Sequence, residues 1–240
     1  MSTRDKMIFA AILAGGTGTR MGNVEKPKQF LLLGNKPIII HTIEKFYINS
    51  EFKEIIVLCP KQWINHTNDI ISRYIGYSKN IKVIEGGNLR NDTIMNAIDY
   101  IENNYKINNE SIIVTHDSVR PFITHRIIEE NIKYAREYGS CDTVIPSSDT
   151  IVESKDGKFI SSIPNRRNMY QGQTPQSFKI IKLKEVYNKM SNEEKESLTD
   201  ASKIFSCNNE SVFLVKGEVS NIKITYPHDL RVANSILKGK

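Results

Sequence analysis

The chain has 240 residues, of which 39% are hydrophobic and 25% are charged, and its formal net charge is +6. This composition is that of an ordinary globular protein, and a chain of this length can bury a core without disulfide or metal staples. The positive charge mildly favours an anionic partner. Lys and Arg are scattered rather than gathered in one stripe, which argues against nucleic-acid binding.

The cysteines and the apolar runs indicate in which cellular compartment the protein is expected. Cys59, Cys141 and Cys207 are odd in number and far apart, so they predict neither a disulfide framework nor a zinc site, and a reducing cytoplasm is the simplest home. No run approaches the roughly 20 apolar residues of a membrane span. Arg4 and Lys6 precede MIFAAILA, as in a signal peptide, but GGTGTRMG follows instead of a cleavage site, so we expect a buried first strand.

The first half of the chain alternates between two kinds of segment. Short Ile- and Val-rich runs that end in Gly, Pro or Asp predict strands at 7–15, 54–60, 81–87 and 111–117. Apolar residues at i, i+3, i+4 and i+7 predict helices at 36–49, 62–75, 90–105 and 124–138. This alternation predicts βαβ units and a mostly parallel sheet.

The alternation of predicted strands and helices ends near Cys141. TIVESKDGKFISSI reads as two alternating strands joined at Asp156–Gly157, a β-hairpin that has to lie on the body of the protein or on another subunit. Helices are predicted at about 177–190 and 192–206, followed by two short strands, VFLVK and NIKIT, and a last helix after Pro227.

Loops of small, polar and charged residues follow three of the predicted strands, at 15–20, 86–93 and 116–121. Ligands of an open parallel sheet bind beyond the carboxyl ends of its strands, so the three loops predict one site at one edge.

The first of these loops has the character of a phosphate site. Glycines let backbone N–H groups approach an anion, and Arg20, Lys26 and Lys28 add positive charge. The P-loop pattern is absent, and Gly16, Gly18 and Gly22 are spaced G-x-G-x-x-x-G instead of G-x-G-x-x-G. No acidic residue closes the second strand, so a hydride-transferring enzyme is disfavoured.

Five motifs in order give a more specific indication. LAGGTGTRMGNVEKPKQF resembles the signature of sugar-phosphate nucleotidyltransferases, and EGGNLRNDTI, THDSVRPF, MYQGQTPQ and NIKITYPHDL extend the likeness over about residues 7–233. Together they resemble the cytidylyltransferases that act on methylerythritol phosphate and on ribitol 5-phosphate. GNVEKPKQF, THRIIEENI and MYQGQTPQSF are closer to the ribitol-5-phosphate members.

The resemblance implies a single Rossmann-like α/β domain over 1–240, with a mostly parallel sheet of nucleotidyltransferase type. A hairpin arm at about 141–175 would protrude from it and form a homodimer. It implies transfer of CMP from CTP to a pentitol phosphate, giving pyrophosphate and CDP-ribitol for teichoic acid or capsule synthesis. The alternative acceptor is methylerythritol phosphate, for isoprenoid synthesis. A non-catalytic phosphate or nucleic-acid binder is the competing class.

Site roles follow from the same resemblance. Arg20 and Lys28 would be the catalytic cations, and Asp117 would bind Mg²⁺. The residues implied in CTP binding are Leu13, Ala14, Gly15, Gly16, Gly18, Gly86, Gly87, Asn88, Arg90, Asp92, Thr93 and Ser118. Those implied in positioning the substrate phosphate are Arg120, Thr150, Arg166 and Lys223, with Arg166 coming from a neighbouring subunit.

The residues alone leave several of these assignments open. Asp117 could simply cap a turn, and Arg90 and Asp92 could form the first turn of a solvated helix. Lys223 could face solvent from an alternating strand, and Arg167 stands next to Arg166 as a second candidate.

Overall fold

A computed structural model describes residues 7–16, 18–21, 26–198 and 200–239. The strands are β1 (Ile8–Leu13), β2 (Leu32–Leu33), β3 (Lys36–Pro37), β4 (Phe52–Cys59), β5 (Ile81–Glu85), β6 (Ile112–Asp117), β7 (Ser140–Pro146), β8 (Tyr170–Lys179) and β9 (Phe213–Lys216). The α-helices are α1 (Ile38–Tyr47), α2 (Ile64–Tyr74), α3 (Arg90–Asn104), α4 (His125–Tyr138), α5 (Ile180–Lys189), α6 (Asn192–Glu196), α7 (Ser202–Cys207) and α8 (Pro227–Lys238).

Seven strands form one sheet in the order β5-β4-β1-β6-β8-β7-β9. All neighbours are parallel except β8, which runs antiparallel to both β6 and β7. The predicted α/β architecture with a mostly parallel sheet is therefore confirmed. Leu13 at the end of β1 lies opposite Leu58 of β4 and Asp117 of β6, so the carboxyl ends of these strands meet at one edge.

Apolar alternation along β1 explains why the sheet is covered on both faces. Ile8, Ala10 and Ile12 pack into one core cluster with α1, α2 and α4, whereas Phe9 and Ala11 pack into a second cluster with α3, α5 and α7. Burial of each large aliphatic side chain contributes about 1.5–3 kcal/mol to folding. A third, smaller cluster packs α8 against the β2–β3 hairpin.

Two helix predictions for the second half are wrong in detail. Residues 177–179 extend β8 because Phe178 pairs with Ile113 on one side and Ser140 on the other, so the helix begins only at Ile180. The helix predicted at 192–206 is split into α6 and α7. The stretch between them carries buried Leu198, and the Asp200 Oδ1 atom accepts a hydrogen bond at 2.8 Å from the N–H of Ser202, the first residue of α7.

NIKIT, predicted as a strand, is not a strand of the sheet. The Ile224 N–H donates to the Val119 carbonyl at 3.0 Å, and Ile224 is buried. Anchoring of this kind fixes residues 221–225 against the loop after β6 without a ladder of backbone hydrogen bonds.

The predicted hairpin is a reversal with one β-bridge, between Glu153 and Ser162, and not two strands. Gly157 has φ +71°, and the Asp156 carboxylate accepts backbone N–H groups of the turn. None of the described strands extends the bridge into a ladder. The predicted arm at about 141–175 overlaps β7 and β8 at its ends, and residues 147–169 lie outside the sheet.

Within the described ranges, no helix has both the length and the apolar character needed to cross a bilayer.

Candidate active site

A cavity of about 280 Å³ lies at the carboxyl edge of the sheet, beside the ends of β1 and β6 and the start of α3. It brings together most of the residues singled out in the sequence. Its lining residues are Leu13, Gly15, Gly16, Arg20, Lys28, Gln29, Gly87, Asn88, Leu89, Arg90, Thr93, Asp117, Ser118, Val119 and Lys223.

The glycine loop after β1 leaves space for a ligand. Among the residues that the structure describes, no atom lies within 4 Å of where a Cβ would stand on Gly15 or Gly16. Gly18 differs, because its φ is +77° and a Cβ there would stand 3.0 Å from the Lys28 backbone nitrogen. Gly18 thus supports the segment that carries Lys28 instead of lining the cavity. Thr17 and Gly22 of the motif lie outside the described residues.

Lys28 is held in place by its neighbours in the sequence. A short 3-10 helix, Lys28–Phe30, follows Pro27. The Gln29 side chain donates to the Ala14 carbonyl at 2.7 Å, and the Phe30 ring lies 5.2 Å from the ring of Trp63. Burial, together with repulsion from Lys223 and Arg20, lowers the pKa of Lys28 to about 8.

Asp117 is the centre of an ion cluster. Arg90 Nη1 lies 2.5 Å from its Oδ1 atom, while Lys223 Nζ and Arg120 Nε lie 3.0 Å and 3.3 Å from Oδ2. Burial alone would raise the pKa of Asp117, but Arg90, Lys223 and Arg120 outweigh it and hold that pKa well below its ordinary value. The carboxylate therefore stays ionised at every physiological pH.

A buried hydrogen-bond chain fixes the end of β6. The Asp117 N–H donates to Thr174 Oγ1 at 3.1 Å, and Thr174 Oγ1 lies 3.0 Å from His116 Nδ1. His116 Nε2 lies 3.1 Å from the Arg120 carbonyl, which only accepts, so Nε2 carries the proton and Nδ1 accepts from Thr174. Burial lowers the pKa of His116 to about 4, so the ring is neutral and structural.

Hydrogen bonds within the second loop shape the turn before α3. The Gly87 N–H donates to Thr93 Oγ1 at 3.0 Å, and the Asp92 carboxylate accepts from the Leu89 N–H at 3.1 Å. A Cβ on Gly87 would stand 2.3 Å from Asp92 Cβ, which requires glycine there. Asp92 thus caps α3, and the nucleotide contact predicted for it stays a prediction.

Seven predicted site residues lie outside the cavity lining. Ala14, Gly18, Gly86, Asp92 and Arg120 support it from behind, and Arg120 Nη1 donates to the Asn221 carbonyl at 2.8 Å. Thr150 and Arg166 are exposed in the 147–169 segment, where Arg166 donates to the Ser148 carbonyl at 3.0 Å. In a single chain these two do not reach the cavity.

Three lining residues were missing from the predicted site: Gln29, Leu89 and Val119. Gln29 had a signal, because it belongs to the PKQ motif. Leu89 and Val119 had none, since apolar residues in a loop look like core residues in a sequence.

A divalent cation fits this site only together with an anionic ligand. Asp117 is the one carboxylate among the described lining residues, and the described part of the chain has no cluster of three or more Asp, Glu, His or Cys able to hold a metal. Mg²⁺ is commonly bound through one or two carboxylates plus phosphate oxygens and water. An ionised Asp117 would supply such an oxygen.

The arrangement of charges in the cavity suits a polyphosphate ligand. Arg20, Lys28, Arg90 and Lys223 line the cavity with one carboxylate, beside open glycine backbone at the end of a parallel strand. Fold and site together define an α/β protein of nucleotidyltransferase type.

Comparison with known proteins identifies the family. The chain belongs to the IspD family, described as 2-C-methyl-D-erythritol 4-phosphate cytidylyltransferase, which matches residues 8–239. It is similar to the 4-diphosphocytidyl-2C-methyl-D-erythritol synthase from Anaerococcus prevotii, with 29% identity and a TM-score of 0.79. The match covers 97% of this chain and 96% of that one.

Two further solved structures are similar. The 2-C-methyl-D-erythritol 4-phosphate cytidylyltransferase of Francisella tularensis is 26% identical with a TM-score of 0.79, covering 95% of this chain and 99% of that one. The enzyme of the same name from Thermus thermophilus is 21% identical with a TM-score of 0.70, covering 98% and 99%, and this likeness concerns the fold.

Proposed function

We propose that the protein transfers CMP from CTP to the phosphate of a sugar alcohol and releases pyrophosphate. The observation that carries the proposal is the ring of cations around Asp117 at the glycine-lined edge of the sheet. The cavity is lined by four cationic side chains and one carboxylate, so it carries a net positive charge. A triphosphate and a second phosphate are negatively charged and therefore suit it.

The reaction needs positioning and charge stabilisation. A phosphate oxygen of the acceptor attacks the α-phosphorus of CTP in line, the new P–O bond forms, and the bond to the β-phosphate breaks. Lys28 and Arg20 stabilise charge that develops on the α-phosphate and the leaving pyrophosphate. Lys223 orients the acceptor phosphate, and the glycine backbone and Ser118 hold the nucleotide. Arg120, predicted to position the same phosphate, lies behind the cavity lining and supports the site through Asp117.

Mg²⁺, held by Asp117 and phosphate oxygens, would supply Lewis-acid neutralisation of the phosphates. The chain's own part is to keep Asp117 ionised and aimed at the cavity through Thr174 and Arg120.

The family and the solved neighbours favour 2-C-methyl-D-erythritol 4-phosphate as the acceptor. Ribitol 5-phosphate is the second candidate because GNVEKPKQF and MYQGQTPQSF resemble the members that use it. Both acceptors present a phosphate at the end of a short polyol, so the cationic cluster around Asp117 suits either.

We also propose that the 147–169 arm completes the site of a partner subunit. Phe159, Ile160 and Ile163 are 77%, 62% and 60% exposed, which is costly for an isolated chain. Thr150 and Arg166 lie on this arm outside their own cavity, so a homodimer would bring them to the neighbour's acceptor phosphate.

A coupled pyrophosphate assay tests the proposal. Purified protein is given CTP, ATP, GTP or UTP with Mg²⁺ and either acceptor. Pyrophosphate release with CTP and one acceptor is expected, and the acceptor with the higher kcat/KM identifies the substrate. Absence of turnover with both acceptors, while CTP or nucleic acid still binds, would favour a non-catalytic binder instead.

A further inference from the structure

Arg20 differs from the cations that surround Asp117 in its partner. Arg90, Arg120 and Lys223 all pair with the Asp117 carboxylate. Within the described part of the chain, the guanidinium of Arg20 makes neither a hydrogen bond nor an ion pair. Its Cζ atom lies 5.7 Å from the centroid of the Tyr226 ring, a distance at which a cation is attracted to an aromatic face.

Tyr226 is itself fixed by the start of α8. The N–H groups of Thr225 and Tyr226 both donate to Asp229 Oδ2, each at 2.8 Å, and Pro227 occupies the first helical position. Two residues earlier, Ile224 is buried and bonded to the Val119 carbonyl. The ring projects from this anchored backbone and is about half exposed, so it contributes little to the core.

An aromatic partner suits a phosphate-binding arginine better than a carboxylate does. A carboxylate would neutralise the guanidinium and occupy its N–H donors. An aromatic face orients the planar group, leaves its charge uncompensated and leaves its N–H donors free for phosphate.

We propose that Tyr226 is a positioning residue for the reaction, which orders the Arg20 side chain at the mouth of the cavity before a nucleotide binds. The inference rests on the proposed function, because it takes the ligand of Arg20 to be the polyphosphate of a nucleotide. The gain is pre-organisation, since an arginine already ordered loses less conformational freedom on binding.

A double-mutant cycle on ligand affinity tests the coupling. Kd values for CTP and for inorganic pyrophosphate are measured by calorimetry for wild type, Tyr226→Leu, Tyr226→Phe, Arg20→Ala and the double variant Arg20→Ala with Tyr226→Leu. Tyr226→Leu is expected to weaken both ligands about two- to fivefold, the range of an exposed cation–π contact, and Tyr226→Phe to stay close to wild type. In the Arg20→Ala background, Tyr226→Leu is expected to change neither Kd.

Controls separate this role from a structural one. Tyr47→Leu removes a tyrosine of similar exposure from α1, away from the cavity, and is expected to leave both Kd values unchanged. A ring-current shift of the Arg20 guanidinium resonances, present in the ligand-free wild type and lost in Tyr226→Leu, reports the contact without any ligand.

Equal weakening by Tyr226→Leu in both backgrounds would overturn the inference, and so would absence of the ring-current shift. If Tyr226 and Arg20 are coupled in ligand binding but no acceptor supports turnover, only the proposed function is overturned. Failure to bind either ligand would overturn both.

Discussion

Lys223 Nζ lies 3.0 Å from Asp117 Oδ2, although one residue belongs to the segment before α8 and the other ends β6. The contact joins the last part of the chain to the centre of the sheet. Together with Arg90 and Arg120, it makes one carboxylate the organiser of three cations. A site built in this way is held together by Asp117.

Replacing Lys28 should abolish most of the activity without unfolding the protein. Lys28→Met removes the charge but keeps the length of the buried side chain, and loss of one positioned donor at a developing charge lowers kcat by about 100- to 1,000-fold. Lys26→Met, an exposed neighbour, is the matched control and should behave as wild type. Steady-state pyrophosphate release measures both, and similar losses in the two variants would contradict the assignment.

The pH dependence of CTP use should report Lys28. Its pKa in the free protein is about 8, so Lys28 loses its positive charge as the pH rises through that value, and phosphate binding weakens. We expect kcat/KM for CTP to fall above about pH 8. Lys28→Arg keeps the charge, so it should move this limb to higher pH. A profile that is the same in wild type and Lys28→Arg would show that another group titrates.

Divalent cations should bind only together with nucleotide. Three cations surround Asp117, so a free metal ion meets their repulsion, whereas a nucleotide brings phosphate oxygens and draws the cations away. Mn²⁺ electron paramagnetic resonance should therefore show binding with CTP and none without it. Arg90→Ala removes one of the competitors and should increase Mn²⁺ binding in the absence of CTP. Tight Mn²⁺ binding by the nucleotide-free wild type would contradict this.

The arm should act in trans. Arg166→Ala is expected to raise KM for the acceptor phosphate with little change for CTP, and Arg167→Ala serves as its control. Mixing Lys28→Met and Arg166→Ala protomers should recover about a quarter of wild-type sites, because half the dimers are mixed and each has one intact site. No recovery after confirmed subunit exchange would place Arg166 in its own chain's site or outside any site.

The free energy of unfolding should depend on pH through Asp142, a buried acid that does not line the cavity. Burial, and then the neighbouring Asp200, raise the pKa of Asp142 to about 7, while its carboxylate accepts from Gln176 at 3.1 Å. A raised pKa means that this group's stabilisation is complete below about pH 4 and is lost as pH rises through about 7. The free energy of unfolding of Asp142→Asn relative to wild type should therefore increase with pH, by on the order of 2–4 kcal/mol between those limits.

Urea unfolding of both proteins across that pH range measures the difference. Asp156→Asn, on the exposed turn of the arm, is the control and should show no such rise. A difference between Asp142→Asn and wild type that is constant from low to neutral pH would contradict the prediction.

Much of the architecture can be predicted locally. The four early strands and the helices between them lie within about two residues of their predicted bounds, because each strand is buried on both faces and each helix has an apolar stripe. The strands being parallel, their carboxyl ends had to share an edge. This alone predicts that Gly15, Asn88 and Ser118 approach one cavity.

Other features could not be read from local patterns. β8 enters the sheet antiparallel between β6 and β7, and its last residues looked helical because the pairing partners that hold them extended are distant in sequence. NIKIT alternates like a strand, yet it pairs with none of the described strands. It is held beside β6 by the backbone hydrogen bond from Ile224 to the Val119 carbonyl, by side-chain hydrogen bonds at Asn221 and by the ion pair of Lys223 with Asp117.

By itself, the sequence determined the alternating α/β order, the glycine loop and the residues able to carry positive charge, since these depend on side-chain type and short spacing. Only the tertiary structure decided that Arg90, Arg120 and Lys223 converge on Asp117 and that Tyr226 faces Arg20. Electrostatic and aromatic contacts act over a few ångströms in space. The number of residues between two side chains in the sequence does not give their distance in space, which is set by how the chain folds around the sheet.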